Sequence, residues 1–281
     1  MIKIKKGNKN RDLTKCTLEF CQKEFKYLQK IIDKNVNHLR RLDNPNEYCR
    51  YADVRTYKDN RVEIGSPNRY INASWIHVPF YRSFISTQGP LESTIEDFWD
   101  MCFIYDIKII LMLCNLTENN RQKCANYWNS NMRKYRIIKL QNSINLEDGL
   151  ILRYFQVLNK TNSISKNIIQ IHLTSWEDHI APISNYNKII RIINIIDKYK
   201  QNSPVVVHCS AGVGRTGSFI SVYNLYHEIL KQIKNPNVIE IKFSIMNFVR
   251  KLKEMRLLSV ENEKQYIFLY QFVNKFLSQY N

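Results

Sequence analysis

Two short, purely apolar runs, Ile109-Ile-Leu-Met-Leu113 and Val205-Val-Val207, are each bounded by polar or turn-forming residues. Runs this short and this apolar suit strands buried on both faces of a sheet, where alternation with polar residues is not required. Helical periodicities surround them. Leu13 to about Leu42 spaces Leu18, Cys21, Phe25, Leu28, Ile31, Ile32, Val36 and Leu39 by three and four, and Asn185 to Lys200 does the same with isoleucines. Leu91 to Tyr105 follows Pro90 and carries Glu92, Glu96 and Asp97 early, as a helix start does. Helices are also predicted from Ser218 to Gln232, from about Ile239 to Arg256 and from Glu261 to Leu277. Ser83–Gln88 and Arg61–Ile64 read as strands, and β-branched runs between Tyr135 and Leu173 read as antiparallel strands. The sum is a mixed α/β architecture.

The chain has 281 residues, a formal charge of +17 and 44% hydrophobic residues, with 7 Gly and 7 Pro. That excludes wholesale disorder and collagen-like repetition. The longest apolar run, Ile109 to Cys114, is far below the roughly 20 residues a membrane span needs. The basic start, Met1-Ile-Lys-Ile-Lys-Lys6, leads into no apolar signal core, so secretion is not expected. Cys16, Cys21, Cys49, Cys102, Cys114, Cys124 and Cys209 form no C-x-x-C pair, which argues against structural zinc and disulfides and for a reducing, cytoplasmic compartment. No Lys/Arg block lies beyond the N-terminal dozen residues and no aromatic-spaced RNA-binding signature is present, so no nucleic-acid partner is expected. The excess charge reads as a solvated basic surface with a minority gathered at one anion site.

That site is predicted where the second apolar run ends. Val205-Val-Val-His208 leads into Cys209-Ser-Ala-Gly-Val-Gly-Arg-Thr-Gly217 and then into helical sequence. A strand, a short glycine-containing loop and a helix turn successive backbone N–H groups inward beneath the positive end of the helix dipole, which suits an anion. A thiol ordinarily ionises near pH 8.5, and a helix N-terminus beside a guanidinium lowers that by several units. Arg215 offers a planar fork for two phosphate oxygens. Gly212, Gly214 and Gly217 permit the tight path, and Thr216 can donate a hydroxyl hydrogen bond to the Cys209 sulfur. A bare C-x5-R string is weak evidence; the whole ten-residue run between strand and helix is specific. A P-loop nucleotide site is excluded, because the loop contains no lysine. His208 is better read as orienting the loop by hydrogen bonding than as a general base.

On these residues the chain resembles the protein tyrosine phosphatases. Arg50-Tyr51 with Asp53-Val54, Tyr70-Ile-Asn-Ala-Ser74, Thr87-Gln-Gly-Pro-Leu91, Phe98-Trp99, Lys123-Cys-Ala-Asn-Tyr-Trp128, His172-Leu-Thr-Ser-Trp-Glu-Asp178 and Gln265-Tyr266 follow in family order over about 40–280. The resemblance implies one α/β (α+β) domain across 1–281, with a central, highly twisted mixed sheet flanked by helices and a helical N-terminal extension over 1–39. It implies Cys209 as nucleophile, Arg215 and the amides of Ser210, Ala211, Gly212, Val213 and Gly214 as phosphate cradle, and Asp178, set by Trp176, as general acid. Tyr51 would stack on phosphotyrosine, Asp53 hold the substrate backbone, Gln265 contribute to substrate binding, Glu118 orient Arg215, and Lys123 meet the acid loop. Phosphotyrosine-containing proteins are the implied partners, and no metal or organic cofactor is implied. A monomer is expected.

Three departures from the family pattern stand out. Glu177 replaces the usual proline before the acid, Ile180 replaces a glycine two residues after it, and Glu261 takes the place of the water-positioning glutamine. They predict an active but slow enzyme, because a carboxylate near a phosphoryl group repels it. A catalytically silent phosphotyrosine trap and an RNA 5′-phosphatase are the competing readings. The size, the Asn-, Lys-, Ile- and Tyr-rich composition of A/T-rich codons, and the divergent motifs further resemble phosphatases carried by bracoviruses of parasitoid wasps.

Overall fold

The structure, a computed structural model, describes residues 2–5, 18–36, 46–66, 69–77, 82–129, 131–178, 180, 182–199 and 203–280. In chain order the strands are β1 Ile2–Lys5, β2 Ala73–Ile76, β3 Phe84–Thr87, β4 Ile109–Met112, β5 Thr117–Glu118, β6 Arg121–Gln122, β7 Tyr135–Lys139, β8 Ile144–Glu147, β9 Leu150–Asn159, β10 Ser165–Leu173, β11 Val205–His208 and β12 Glu240–Phe243. The helices are α1 Leu18–Val36, α2 Ile95–Ile104, α3 Tyr186–Lys198, α4 Gly214–Lys234, α5 Ile245–Met255 and α6 Glu263–Ser278. Among the described residues, no helix is long and apolar enough to cross a membrane.

An eight-stranded sheet runs in the order β2-β3-β11-β4-β10-β9-β7, with β8 paired to β9. Its middle pairs, β3 with β11, β11 with β4 and β4 with β10, are parallel, and the flanking pairs are antiparallel. The two apolar runs are therefore neighbours: Val205 to Val207 pair with Ile109 to Leu111, and all are buried. Helix α4 packs on β11 and β3 and contacts α5 and α6, while α1 lies against α5 and α6. Every residue of β4 and β11 is buried, which is why these central strands carry no polar alternation.

The structure departs from the sequence expectation in five places. The run from Ile239 is not helical at first: Glu240–Phe243 is a strand, antiparallel to Ile2–Lys5, and α5 begins only after Ser244, whose Oγ accepts from Asn247 N (3.2 Å). The period-two patterns Ile2-Lys-Ile-Lys5 and Glu240-Ile-Lys-Phe243 are each too short to signal alone, and pairing buries Ile241 and Phe243. The N-terminal extension is thus a strand and a helix rather than helical throughout; residues 6–17 and 37–45, with Leu13, Cys16 and Leu39, lie outside the described residues. Arg61–Ile64 forms no strand, only a bridge from Arg61 to Ser74. The stretch after Leu91 opens with a 3-10 turn, Glu92–Thr94, before α2, and α4 starts at Gly214 rather than Ser218.

Candidate active site

At the C-terminal end of β11 the chain turns through Cys209 and enters α4 at Gly214. The loop carbonyls are held from outside. Gly89 N donates to Ser210 O (2.9 Å), Arg256 Nη2 to Ala211 O (3.1 Å), Arg256 Nε and Ser86 Oγ to Gly212 O (2.8 and 2.9 Å), and Val260 N to Val213 O (3.2 Å). With the carbonyls turned outward, the N–H groups of Ser210 to Val213 have no protein acceptor among the described residues. This is the amide nest the sequence predicts. Gly212 has φ +71°, and a Cβ there would lie 2.1 Å from Thr87 O, so no other residue fits.

Cys209 is buried at 4% exposure. Beside it, the enclosed Arg215 guanidinium forks onto Glu118, Nη1 to Oε1 at 2.7 Å and Nη2 to Oε2 at 3.0 Å, and Nη1 also donates to Trp176 O (3.0 Å). Burial opposes its charge, but the Glu118 hydrogen bond and neighbouring anionic groups raise its pKa above the ordinary arginine value. Its Nε is buried and has no acceptor among the described residues, so it is available to a ligand oxygen. Glu118 sits on the β5–β6 hairpin, whose Asn119 and Asn120 both have positive φ (49° and 59°), the geometry of a type I′ turn. Its Oε1 is also fixed by Asn115 N (2.9 Å).

The acid loop lies over this cradle. Asp178 accepts from Lys123 Nζ at Oδ2 (2.8 Å), and its Oδ1 is 3.3 Å from Arg215 Nη2. Burial works against the Lys123 charge, but Asp178 raises its pKa. Trp176 is buried, packs on Phe268 and donates Nε1–H to Ile180 O (3.2 Å), so Ile180 does not prevent the loop from closing around its tryptophan. Glu177 is exposed; His179 and Ala181 lie outside the described residues.

Across the opening, Tyr51 OH lies 3.0 Å from Ser210 Oγ, and Ser210 Oγ donates to Lys123 O (3.0 Å). Arg50 anchors this side by donating to Gly89 O, Pro90 O and Gln122 O. A cavity of about 430 Å³ brings together Tyr51, Asp53, Lys123, Asp178, Cys209, Ser210, Ala211, Gly214, Arg215 and Glu261. Of the remaining predicted residues, Gly212, Val213 and Trp176 are buried behind its wall. Gln265 is not among the residues lining the cavity: it is fully buried, and its Oε1 accepts from Glu261 N (2.8 Å). Side chains of both crowd Gly214, where a Cβ would lie 2.8 Å from Gln265 Nε2 and 2.9 Å from Glu261 Oε2. The expected Thr216 bond to sulfur is not made. Thr216 Oγ1 is enclosed in the first turn of α4, without a partner among the described residues.

His208 is fully buried, and burial lowers its pKa to about 3. Its hydrogen bonds assign the tautomer: Nδ1, 3.1 Å from Cys209 O, must carry the proton, so Nε2 accepts from Tyr127 OH (2.9 Å). Gln170 Nε2 in turn donates to Tyr127 OH (2.6 Å). A neutral histidine tied on both sides orients the loop and is no base. The sequence reading missed Arg256, Asn72, Tyr127 and Gln170 as supports of the site. Only the motif positions of Asn72 and Tyr127 carried any signal.

The family described as protein-tyrosine phosphatase matches residues 45–275. The chain belongs to the protein-tyrosine phosphatase family. Human tyrosine-protein phosphatase non-receptor type 20 is 36% identical over 238 residues, covering 81% of this chain and 54% of that protein. Mouse receptor-type tyrosine-protein phosphatase eta is 36% identical over 239 residues, 80% of this chain and 18% of that one. The chain thus spans about half the length, or less, of these curated relatives. The catalytic domain of human protein tyrosine phosphatase non-receptor type 18 superposes with a TM-score of 0.81 at 28% identity, over 92% of this chain and 96% of that chain. A structure of PTPN18 in complex with HER2 phosphopeptides matches equally well, with a TM-score of 0.81 at 26% identity, over 92% of this chain and 93% of that chain.

Proposed function

We propose that the chain hydrolyses phosphotyrosine in proteins through a cysteinyl-phosphate. The observation that carries this is the immobilised Arg215, with its Nε unpartnered beside an amide nest that opens on Cys209. The Cys209 sulfur attacks phosphorus while the P–O bond to the tyrosine oxygen breaks, and Asp178 delivers the proton that the phenolate takes up. Arg215 and the amides of Ser210 to Gly214 hold the equatorial oxygens. An arriving phosphoryl dianion takes Arg215 from Asp178 and sets negative charge beside it, which favours the protonated, donating carboxyl. Water then attacks phosphorus, the S–P bond breaks, and Asp178 takes the water's proton. Tyr51 and Asp53 at the rim make the slot deep enough to select phosphotyrosine over phosphoserine, and the phosphopeptide complexes of PTPN18 support that substrate class. The absence of C-x-x-C spacing supports a cytoplasmic enzyme, and the A/T-biased composition with the divergent motifs supports one of bracovirus type acting on host signalling proteins.

A phosphotyrosyl peptide assay with burst-phase sampling tests this. Wild type is expected to release phosphate, and Cys209→Ser to bind the peptide without turnover. Peptide binding without turnover by wild type would replace the enzyme by a phosphotyrosine trap; turnover of 5′-triphosphate RNA alone would replace it by an RNA phosphatase.

A further inference from the structure

Arg153, on β9, is a half-buried cation with only neutral partners. Its guanidinium lies 4.9 Å from the Trp128 ring centroid, and its Nη1 meets Gln170 Oε1 (2.8 Å) and His172 Nδ1 (3.0 Å). His172 Nε2 faces Cys114 O (2.8 Å) and so carries the ring proton, which leaves Nδ1 as the acceptor. Among the described residues the Nε and Nη2 of Arg153 make no hydrogen bond, and neither is enclosed. Arg215 and Arg69, by contrast, face Glu118 and the pair Asp97 and Asp100. Burial of Arg153 without a counter-charge opposes its ionisation.

Arg153 lines a cavity of about 340 Å³ together with Lys139, Asn126, Trp128, Asn129, Ile137 and Phe155. No carboxylate lines it, and Lys139, exposed on β7, has no ion pair among the described residues. Two uncompensated cations above flat apolar walls favour one class of ligand: a carboxylate, which a guanidinium fork binds bidentately, carried on an aromatic body. We propose that this cavity binds a small aromatic carboxylate, its charge on Arg153 and Lys139 and its ring along Trp128 and Ile137. The site is also wired to the nucleophile loop: Arg153 holds Gln170, Gln170 donates to Tyr127, Tyr127 to His208 Nε2, and His208 Nδ1 to Cys209 O.

The test titrates 1-naphthoate into 15N-labelled protein, with the Trp128 indole signal assigned through Trp128→Phe. A saturable shift of that signal is expected, weakened at least tenfold in Lys139→Glu, with no saturable response to the neutral 1-naphthalenemethanol. An unmoved Trp128 signal, equal binding by Lys139→Glu, or equal binding of the alcohol overturns the site. The His208 ring signal is expected to follow occupancy in wild type and not in Gln170→Leu; a response that survives this substitution overturns the wiring. None of these readouts uses turnover, so the outcome is independent of the proposed reaction.

Discussion

Arg256 Nη2 donates to Asn72 Oδ1 at 2.7 Å, and through this pair the recognition loop and the phosphate cradle share one support. Asn72 Nδ2 holds Val54 O (2.5 Å), three residues past Tyr51, while Arg256 holds the carbonyls of Ala211 and Gly212 and reaches Ser74 Oγ (3.2 Å). Both residues are buried, and burial lowers the Arg256 pKa to about 10. The charge is tolerated because these oxygens surround it.

Arg256→Lys is accordingly expected to damage more than charge, since an ammonium cannot fork to four acceptors on two segments. Loss of about 2 kcal/mol or more in urea unfolding is expected, the scale of buried donors left unpaired, with vanadate affinity reduced at least tenfold. Unchanged vanadate affinity would show that the cradle keeps its shape without this residue.

Glu261 stands at the cavity wall with its backbone fixed by Gln265. In the proposed reaction its carboxylate would oppose the phosphoryl group during hydrolysis of the intermediate. Glu261→Gln should leave the burst intact and speed the following steady phase by about tenfold, worth about 1.4 kcal/mol. A slower steady phase in a normally folded variant would mean that Glu261 assists the water instead.

Two buried histidines predict acid sensitivity. Burial lowers His208 from 6.5 to about 3 and His172 from 6.5 to about 4. Below pH 6.5 the unfolded chain takes up protons that the folded chain refuses. Their contribution is therefore fully present above pH 6.5 and is lost as pH falls towards 4 and 3, each group adding a slope of about 1.4 kcal/mol per pH unit. Urea midpoints measured from pH 7 to 4 should show this slope, and His172→Gln should remove about half of it.

Lys253 behaves in the same sense at the alkaline end. It is buried in α5, donates to Val260 O (3.1 Å), and burial lowers its pKa from 10.5 to about 8. Between these values the unfolded chain is the more protonated, so stability climbs with pH from about 8 to 10.5. Lys253→Met should flatten that climb. Its net effect at pH 7 is set against a lost bond to Val260, whose φ of +54° is unfavourable for a β-branched residue.

Local chemistry was enough to read the strand Val205 to His208, the Cys209-to-Gly217 loop and the helix after it, because apolar runs, glycine and a terminal arginine act within a few residues of one another. Tyr51, Asp53, Asp178, Lys123 and Glu118 were legible only through motif order; the structure brings the first four to one cavity and sets Glu118 behind it on the Arg215 guanidinium. Strand β12 was misread because four alternating residues state no preference until Ile2–Lys5 supplies the partner. Gln265 was legible as a neighbour of the site, but its bond to the Glu261 backbone was not, because the direction an amide faces is decided by packing. Arg256 ends an ordinary amphipathic helix in sequence, and nothing local distinguishes it from a surface arginine. Hydrogen-bond direction across distant segments, from Arg256 to Gly212 and Asn72 and from Gln170 through Tyr127 to His208, exists only once the sheet and helices have packed, because each bond joins groups that the chain alone does not hold together.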